Sequence, residues 1–126
     1  MIDPRSAAAT MRRVNIQIFG TKKCADTRKA ERWFKERGIK LQLVDLKEKG
    51  MSPGEVRSVA AKVGIEALID RHGARYRDKG LSFAAPTGTR IEALLVDDPL
   101  LLRTPVVRNG REATVGWKPE VWATWS

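Results

Sequence analysis

Two strand-like segments flank one amphipathic helix near the start of the chain, and this order constrains the fold more than any other feature. Val14-Asn15-Ile16-Gln17-Ile18-Phe19 alternates apolar and polar, then turns apolar before Gly20, which reads as a buried strand. After the polar loop Gly20-Thr21-Lys22-Lys23, the stretch Cys24–Arg37 places Ala30, Trp33 and Phe34 on one stripe, with charged residues around most of the rest. That is a helix with one buried face, and Gly38 is placed to stop it. Ile39–Leu46 alternates again, with Ile39, Leu41 and Leu43 apolar, and predicts a second strand. A strand, a helix and a strand with short connections predict a right-handed β-α-β unit with parallel strands.

The next segment changes character. Ser52-Pro53-Gly54-Glu55 combines a cap, a proline at the first helical position and the glutamate of a capping box. It predicts a helix to Lys62 or Val63 that stops at Gly64. Shorter helices are expected at Ile65–Asp70, Tyr76–Gly80 and Gly88–Asp97, so residues 52–102 read as a helical insertion. Thr104-Pro105-Val106-Val107 and Glu112–Trp117 then read as strands joined at Asn109-Gly110, a hairpin signal when both residues take positive φ. Pro119–Trp125 predicts a closing helix with Val121, Trp122 and Trp125 on its apolar face. The order β-α-β, helical insert, β-hairpin, α is the layout of an α/β fold of the thioredoxin/glutaredoxin type. It predicts a four-stranded mixed sheet with helices on both faces. Residues 1–11 are expected to be a disordered extension and residues 12–126 a single domain.

Composition limits the chemistry. The chain holds one cysteine, Cys24, and one histidine, His72. An intrachain disulfide, a Cys-x-x-Cys pair and a cysteine-rich zinc site are therefore excluded. The net charge of +9 favours anionic partners. Much of that charge sits on a helix face interspersed with Glu31 and Glu36, and no aromatic RNA-binding signature accompanies it, so direct nucleic-acid binding is not expected. No apolar run is long enough to span a membrane. Met1–Thr10 has no apolar h-region, so a cytoplasmic location is expected.

Cys24 stands just after the first strand and at the start of the first helix. Unpaired N–H groups and the positive end of the helix dipole favour a thiolate at such a place. Lys22 and Lys23 precede the thiol, and Arg28 follows one helical turn later on the same face. Cys24 and Arg28 are therefore the candidate catalytic residues, with Lys22 and Lys23 as thiolate-stabilising neighbours. Pro105, at the opening of a strand, cannot donate to a sheet ladder, which marks Thr104-Pro105 as a second point of interest. His72 lies in a polar turn with nothing to complete a dyad with Cys24.

The phrase Phe19-Gly20-Thr21-Lys22-Lys23-Cys24, the following Thr27-Arg28-Lys29-Ala30, the helical block, Leu101-Leu102-Arg103-Thr104-Pro105-Val106-Val107 and the late Val115-Gly116-Trp117 carry a resemblance. Over about residues 12–125 the chain resembles the arsenate reductase-like (ArsC/Spx/YffB) family of thioredoxin-fold proteins. The resemblance implies that Cys24 is the nucleophile and that Pro105 is a cis-proline whose loop faces it. It also implies substrate contacts from Thr104 and Pro105, with Arg103 and Arg71 as anion contacts. The chain departs from the family's arsenate reductases at Thr104, where they carry an arginine before the cis-proline. Here the arginine is Arg103, and one residue along a strand is the opposite face. Position 27 is Thr where Spx regulators carry the second cysteine of their switch. Ala30, six residues after Cys24, excludes the phosphatase-like Cys-x5-Arg class.

The expected function is that of a glutaredoxin-like thiol oxidoreductase with a single cysteine. Its mixed adduct at Cys24 must be resolved by an external thiol such as glutathione, or by glutaredoxin or thioredoxin, with no bound cofactor or metal. The alternative that the resemblance implies is an Spx-like regulator that binds RNA polymerase without catalysis. A monomer is expected in either case.

Overall fold

A computed structural model of the protein describes residues 15–125. The expected N-terminal extension, residues 1–11, lies outside the described residues, as does Val14 of the first predicted strand.

The β-α-β unit is β1 (Ile16–Gly20), α1 (Ala25–Glu36) and β2 (Leu41–Asp45). The insertion contains α2 (Pro53–Val63), α3 (Ile65–Leu68), α4 (Ala74–Asp78), α5 (Leu81–Ala84), α6 (Gly88–Asp97) and a 3-10 turn at Pro99–Leu101. The hairpin β3 (Val106–Asn109) and β4 (Glu112–Val115) follows, and α7 (Pro119–Trp122) closes the order. The four strands lie in the order β2-β1-β3-β4. β1 and β2 are parallel, while β1–β3 and β3–β4 are antiparallel. This is the mixed sheet of the thioredoxin/glutaredoxin layout.

The pleat sends alternate residues of each strand to opposite cores. On one face Ile16, Ile18 and Val107 pack with Ala30 and Phe34 of α1 and with Trp122 of α7. Trp122 is fully buried, and its Nε1 donates to Thr114 Oγ1 at 2.7 Å, which satisfies the one polar atom of the ring. Trp33, Phe34 and Trp117 surround it with ring centroids 5.2–5.5 Å away. On the other face Phe19, Val44, Val106 and Val115 pack against the insertion, including Val56, Val59, Ile91 and Leu95. Fully burying side chains of this size is worth about 1.5–3 kcal/mol each, so both faces of the sheet are strongly specified.

Backbone bonds also tie the end of α3 to the end of the insertion. Ile69 and Leu102 form an antiparallel bridge. Asp70 N–H donates to Leu101 carbonyl at 2.9 Å, and Arg103 N–H to Leu68 carbonyl at 2.7 Å. These bonds fix the segment that runs into Thr104 and Pro105.

Several boundaries differ from those read in the sequence. In β2 the buried residue is Val44, followed by buried Leu46, while Leu43 is 41% exposed. The Ile39-Leu41-Leu43 alternation marks the α1 side of the sheet, but β2 is an edge strand and α1 does not cover it fully. The hairpin turn is centred one residue later than Asn109-Gly110. Asn109 pairs with Glu112, which leaves Gly110-Arg111 as the loop, and Gly110 alone takes positive φ (60°). Positive φ at only the first loop residue is the pattern of a type II′ turn, and the Asn109 side chain instead accepts Asn15 N–H at 3.0 Å. The helix expected at Tyr76–Gly80 starts at Ala74, α5 was not anticipated, and the closing helix ends at Trp122. Val121, placed on its apolar face, is 37% exposed.

Candidate functional site

The polar loop after β1 ends in a helix cap, and the cap is the thiol. Cys24 is the N-cap of α1, with φ −78° and ψ 116°. Its N–H donates to Thr21 carbonyl at 3.2 Å, and its own carbonyl accepts the N–H of Arg28 at 3.2 Å. An N-cap side chain faces the free N–H groups of the first helical turn. Here those are the N–H groups of Asp26 and Thr27.

Thr104-Pro105 is a cis peptide and comes to the same place from the other side. Cys24 Sγ lies 3.6 Å from the Thr104 carbonyl oxygen, to which the thiol donates. Cys24 is partly exposed, Thr104 is partly exposed and Pro105 is buried. The hairpin holds this loop, since Gly116 N–H donates to the Pro105 carbonyl at 2.8 Å.

Partial burial pushes the Cys24 pKa up. The side chains of Thr104 and Thr27 and the N–H groups of Thr27 and Asp26, placed to donate to the sulfur once it is ionised, outweigh it. The thiol therefore titrates below its ordinary value. These groups are hydroxyls and helix N–H donors, not the side chains of Lys22, Lys23 and Arg28. Lys22, Lys23 and Arg28 are exposed. Arg28 Nη1 donates to the Lys22 carbonyl at 2.5 Å, which braces the loop before the thiol.

Thr27, notable in the sequence only for standing in place of a second cysteine, belongs to the site. It stands on the buried stripe of α1 with Ala30 and Phe34 and is only 3% exposed. Its Oγ1 is buried without a hydrogen-bond partner, so its proton is uncommitted and available to the sulfur once that carries charge. Gly20, at the end of β1, makes room for it: a Cβ at Gly20 would lie 2.3 Å from Thr27 Oγ1. A polar residue on an apolar stripe, three positions after the cysteine, was the signal.

A model of the ArsC family matches residues 19–125. The chain belongs to the ArsC family. It is 25% identical to the uncharacterized protein YusI of Bacillus subtilis over 112 residues, which covers 85% of this chain and 94% of that protein. It is 22% identical over 107 residues to the global transcriptional regulator Spx 2 of Bacillus anthracis, covering 83% and 82% of the two chains. Among solved structures, the YFFB protein superposes with a TM-score of 0.78 at 24% identity, over 87% of this chain and 97% of that one. An arsenate reductase from Vibrio cholerae does so with a TM-score of 0.77 at 20% identity, over 90% and 98%. At these identities the structural likenesses establish the fold.

Neither of the two remaining candidate arginines of this ArsC-family chain is among the groups that act on the sulfur. Arg71 belongs to the insertion. Its guanidinium donates to Tyr76 Oη at 2.9 Å and to the Pro86 carbonyl at 3.3 Å, and it pairs with Glu66. Arg103 is exposed and is anchored through its backbone to Leu68. His72 is exposed as well. Of the residues singled out from the sequence, the structure brings together Cys24, Thr104 and Pro105. Among the described residues no helix is long and apolar enough to cross a membrane, and no three His, Cys, Asp or Glu side chains cluster as metal ligands do.

Proposed function

We propose that this ArsC-family chain is a single-cysteine thiol oxidoreductase with glutathione as its co-substrate. The observation that carries the reading is the placement of Cys24 at the helix cap, facing the carbonyl before cis-Pro105, with its pKa lowered. A thiolate is the attacking form of cysteine, and the donors around Sγ favour that form.

The reaction then runs in two exchanges. The Cys24 thiolate attacks the glutathione sulfur of a mixed disulfide. A Cys24–glutathione bond forms, the old sulfur–sulfur bond breaks, and the substrate leaves as a thiolate that takes a proton from water. A second glutathione thiolate attacks the glutathione sulfur on Cys24. Oxidised glutathione leaves and the Cys24 thiolate returns. The second exchange must come from outside because position 27 is Thr and the chain has no other cysteine. Glutaredoxin or thioredoxin could serve as the outside thiol by the same exchange. Backbone around Thr104 and Pro105 would hold the substrate. Thiol disulfides rank ahead of arsenate as substrate, because Thr104 replaces the arginine that family arsenate reductases carry there and Arg71 is engaged within the insertion.

Incubation with oxidised glutathione followed by intact-mass spectrometry tests the reading. The expected result is a gain of one glutathione that is absent in Cys24→Ala. No adduct, together with a Cys24 pKa at or above that of a free thiol, would falsify it.

Similarity to a protein named a global transcriptional regulator supports a second reading, in which the chain binds RNA polymerase and Cys24 is not needed. A pull-down on purified RNA polymerase separates the two. Binding that Cys24→Ala retains in full, with no adduct in the wild type, favours the regulator.

A further inference from the structure

The sheet order places β2 at the rim, so one side of its backbone pairs with β1 and the other faces outward. Two adjoining cavities of about 520 and 430 Å³ lie between β2 and α1 and share Glu31 and Leu43, so they form one trough. Arg28, Glu31 and Lys35 make one wall, at the spacing of a single helix face. Leu41 and Leu43 make the floor, at the spacing of one strand face. One end opens at Gly20-Thr21-Lys22, the loop that leads into Cys24.

An exposed apolar strand face beside unpaired backbone groups is a template for another strand. The charges select the occupant. Lys22, Arg28, Lys35 and Lys40 stand around the trough against two acids. Glu31 and Lys35 pair at 2.7 Å and offset each other, which leaves Lys22, Arg28 and Lys40 against Asp45, whose Oδ1 accepts Lys47 N–H at 3.0 Å. A second copy of a chain with net charge +9 would bring cations to cations, whereas an acidic partner would be attracted.

We propose that the trough between α1 and β2 docks an extended acidic segment of a partner protein, which adds to β2 as a fifth strand. Its apolar side chains lie on Leu41 and Leu43, and its carboxylates meet the cations on the rim. Because the trough ends at Lys22, the bound segment delivers the rest of the partner to Cys24. This names the kind of protein the thiol serves and so rests on the thiol reading, although docking itself needs no redox step.

The test is a titration of the full chain into a fluorescein-labelled, strand-length peptide of alternating Val and Glu, followed by fluorescence anisotropy. Saturable binding is expected. Leu43→Lys and Lys40→Glu should each weaken it about tenfold, and both positions are exposed enough to accept the change without unfolding. Cys24→Ala should bind as the wild type does, so a failure of glutathione adduct formation would leave the docking result intact. Hydrogen exchange should slow at β2 amides that are not bonded to β1. Absence of saturable binding, or equal binding by Leu43→Lys, overturns the proposal. A dimer that Leu43→Lys abolishes, with no peptide binding, overturns it in favour of a second copy.

Discussion

At the scale of single residues, the thiol is governed by neighbours of unequal visibility. Cys24 was legible because the end of a strand, a short polar loop and the start of an amphipathic stripe locate a helix cap from local pattern alone. Thr27 was not, because its burial depends on how closely the end of β1 approaches α1, a contact across seven residues of chain that only the bare Gly20 permits. The cations Lys22, Lys23 and Arg28 drew attention through charge, yet exposure to water weakens what they can do for the sulfur. Thr27→Val keeps the shape and removes the hydroxyl. The Cys24 pKa should rise, while Thr27→Ser should keep it low. Thiolate ultraviolet absorbance across a pH titration reads both, and an unchanged pKa in Thr27→Val would remove the hydroxyl from the site. Stability gives the matching sign. At pH low enough to keep Cys24 protonated, Thr27→Val should not lower Tm, because it deletes a buried hydroxyl that has no partner there. Gly20→Ala should lower stability by about 1–3 kcal/mol through overpacking. Adding Thr27→Ala to it should restore much of the loss, a coupling that a double-mutant cycle measures.

At the scale of elements, legibility followed how local the determining signals are. The helix α2 runs from Pro53 to Val63 as read, because its start is written in four consecutive residues. Ser52 Oγ accepts Glu55 N–H at 3.1 Å, and Glu55 Oε1 accepts Ser52 N–H at 2.8 Å, which completes the capping box. Ser52→Ala should therefore cost about 1 kcal/mol, read as a lower denaturation midpoint with an unchanged slope. If stability is unaffected, the cap is not what starts this helix. The edge strand and the hairpin were harder for the same reason in reverse. Which face of β2 is covered depends on how far α1 reaches across the sheet, and that reach leaves Leu43 exposed. The turn moved by one residue because Asn109 continues the pairing of β3 with β1, opposite Ile16, and a strand partner outweighs a local turn preference.

At the scale of the whole molecule, the order of elements was enough to predict the mixed sheet, but not how the insertion is tied to the site. That tie runs through Asp98. Its carboxylate is 7% exposed, accepts Arg75 Nε at 2.6 Å, lies 3.1 Å from Lys79 Nζ, and caps the 3-10 turn through Leu100 N–H at 3.3 Å. It thereby joins α4 to the turn whose last residue, Leu101, begins the backbone ladder that leads to Thr104 and Pro105. Nothing in the local sequence marks Asp98, since its partners Arg75 and Lys79 lie some twenty positions upstream. Burial pushes the carboxyl pKa up, but the hydrogen bonds and charges of Arg75 and Lys79 prevail and hold it below the ordinary carboxylate value. A depressed carboxylate stabilises the fold at pH above its unfolded pKa, and that contribution is lost as pH falls through the lower folded value. Asp98→Asn should accordingly lose on the order of 2 kcal/mol at neutral pH. The variant should also show a shallower fall in Tm on acidification than the wild type. Because the ladder from Leu101 positions the Thr104 carbonyl, the same variant should change the rate at which iodoacetamide alkylates Cys24. Parallel acid limbs in the two proteins would place the linkage elsewhere, and an unchanged alkylation rate would separate the insertion's stability from the geometry of the thiol.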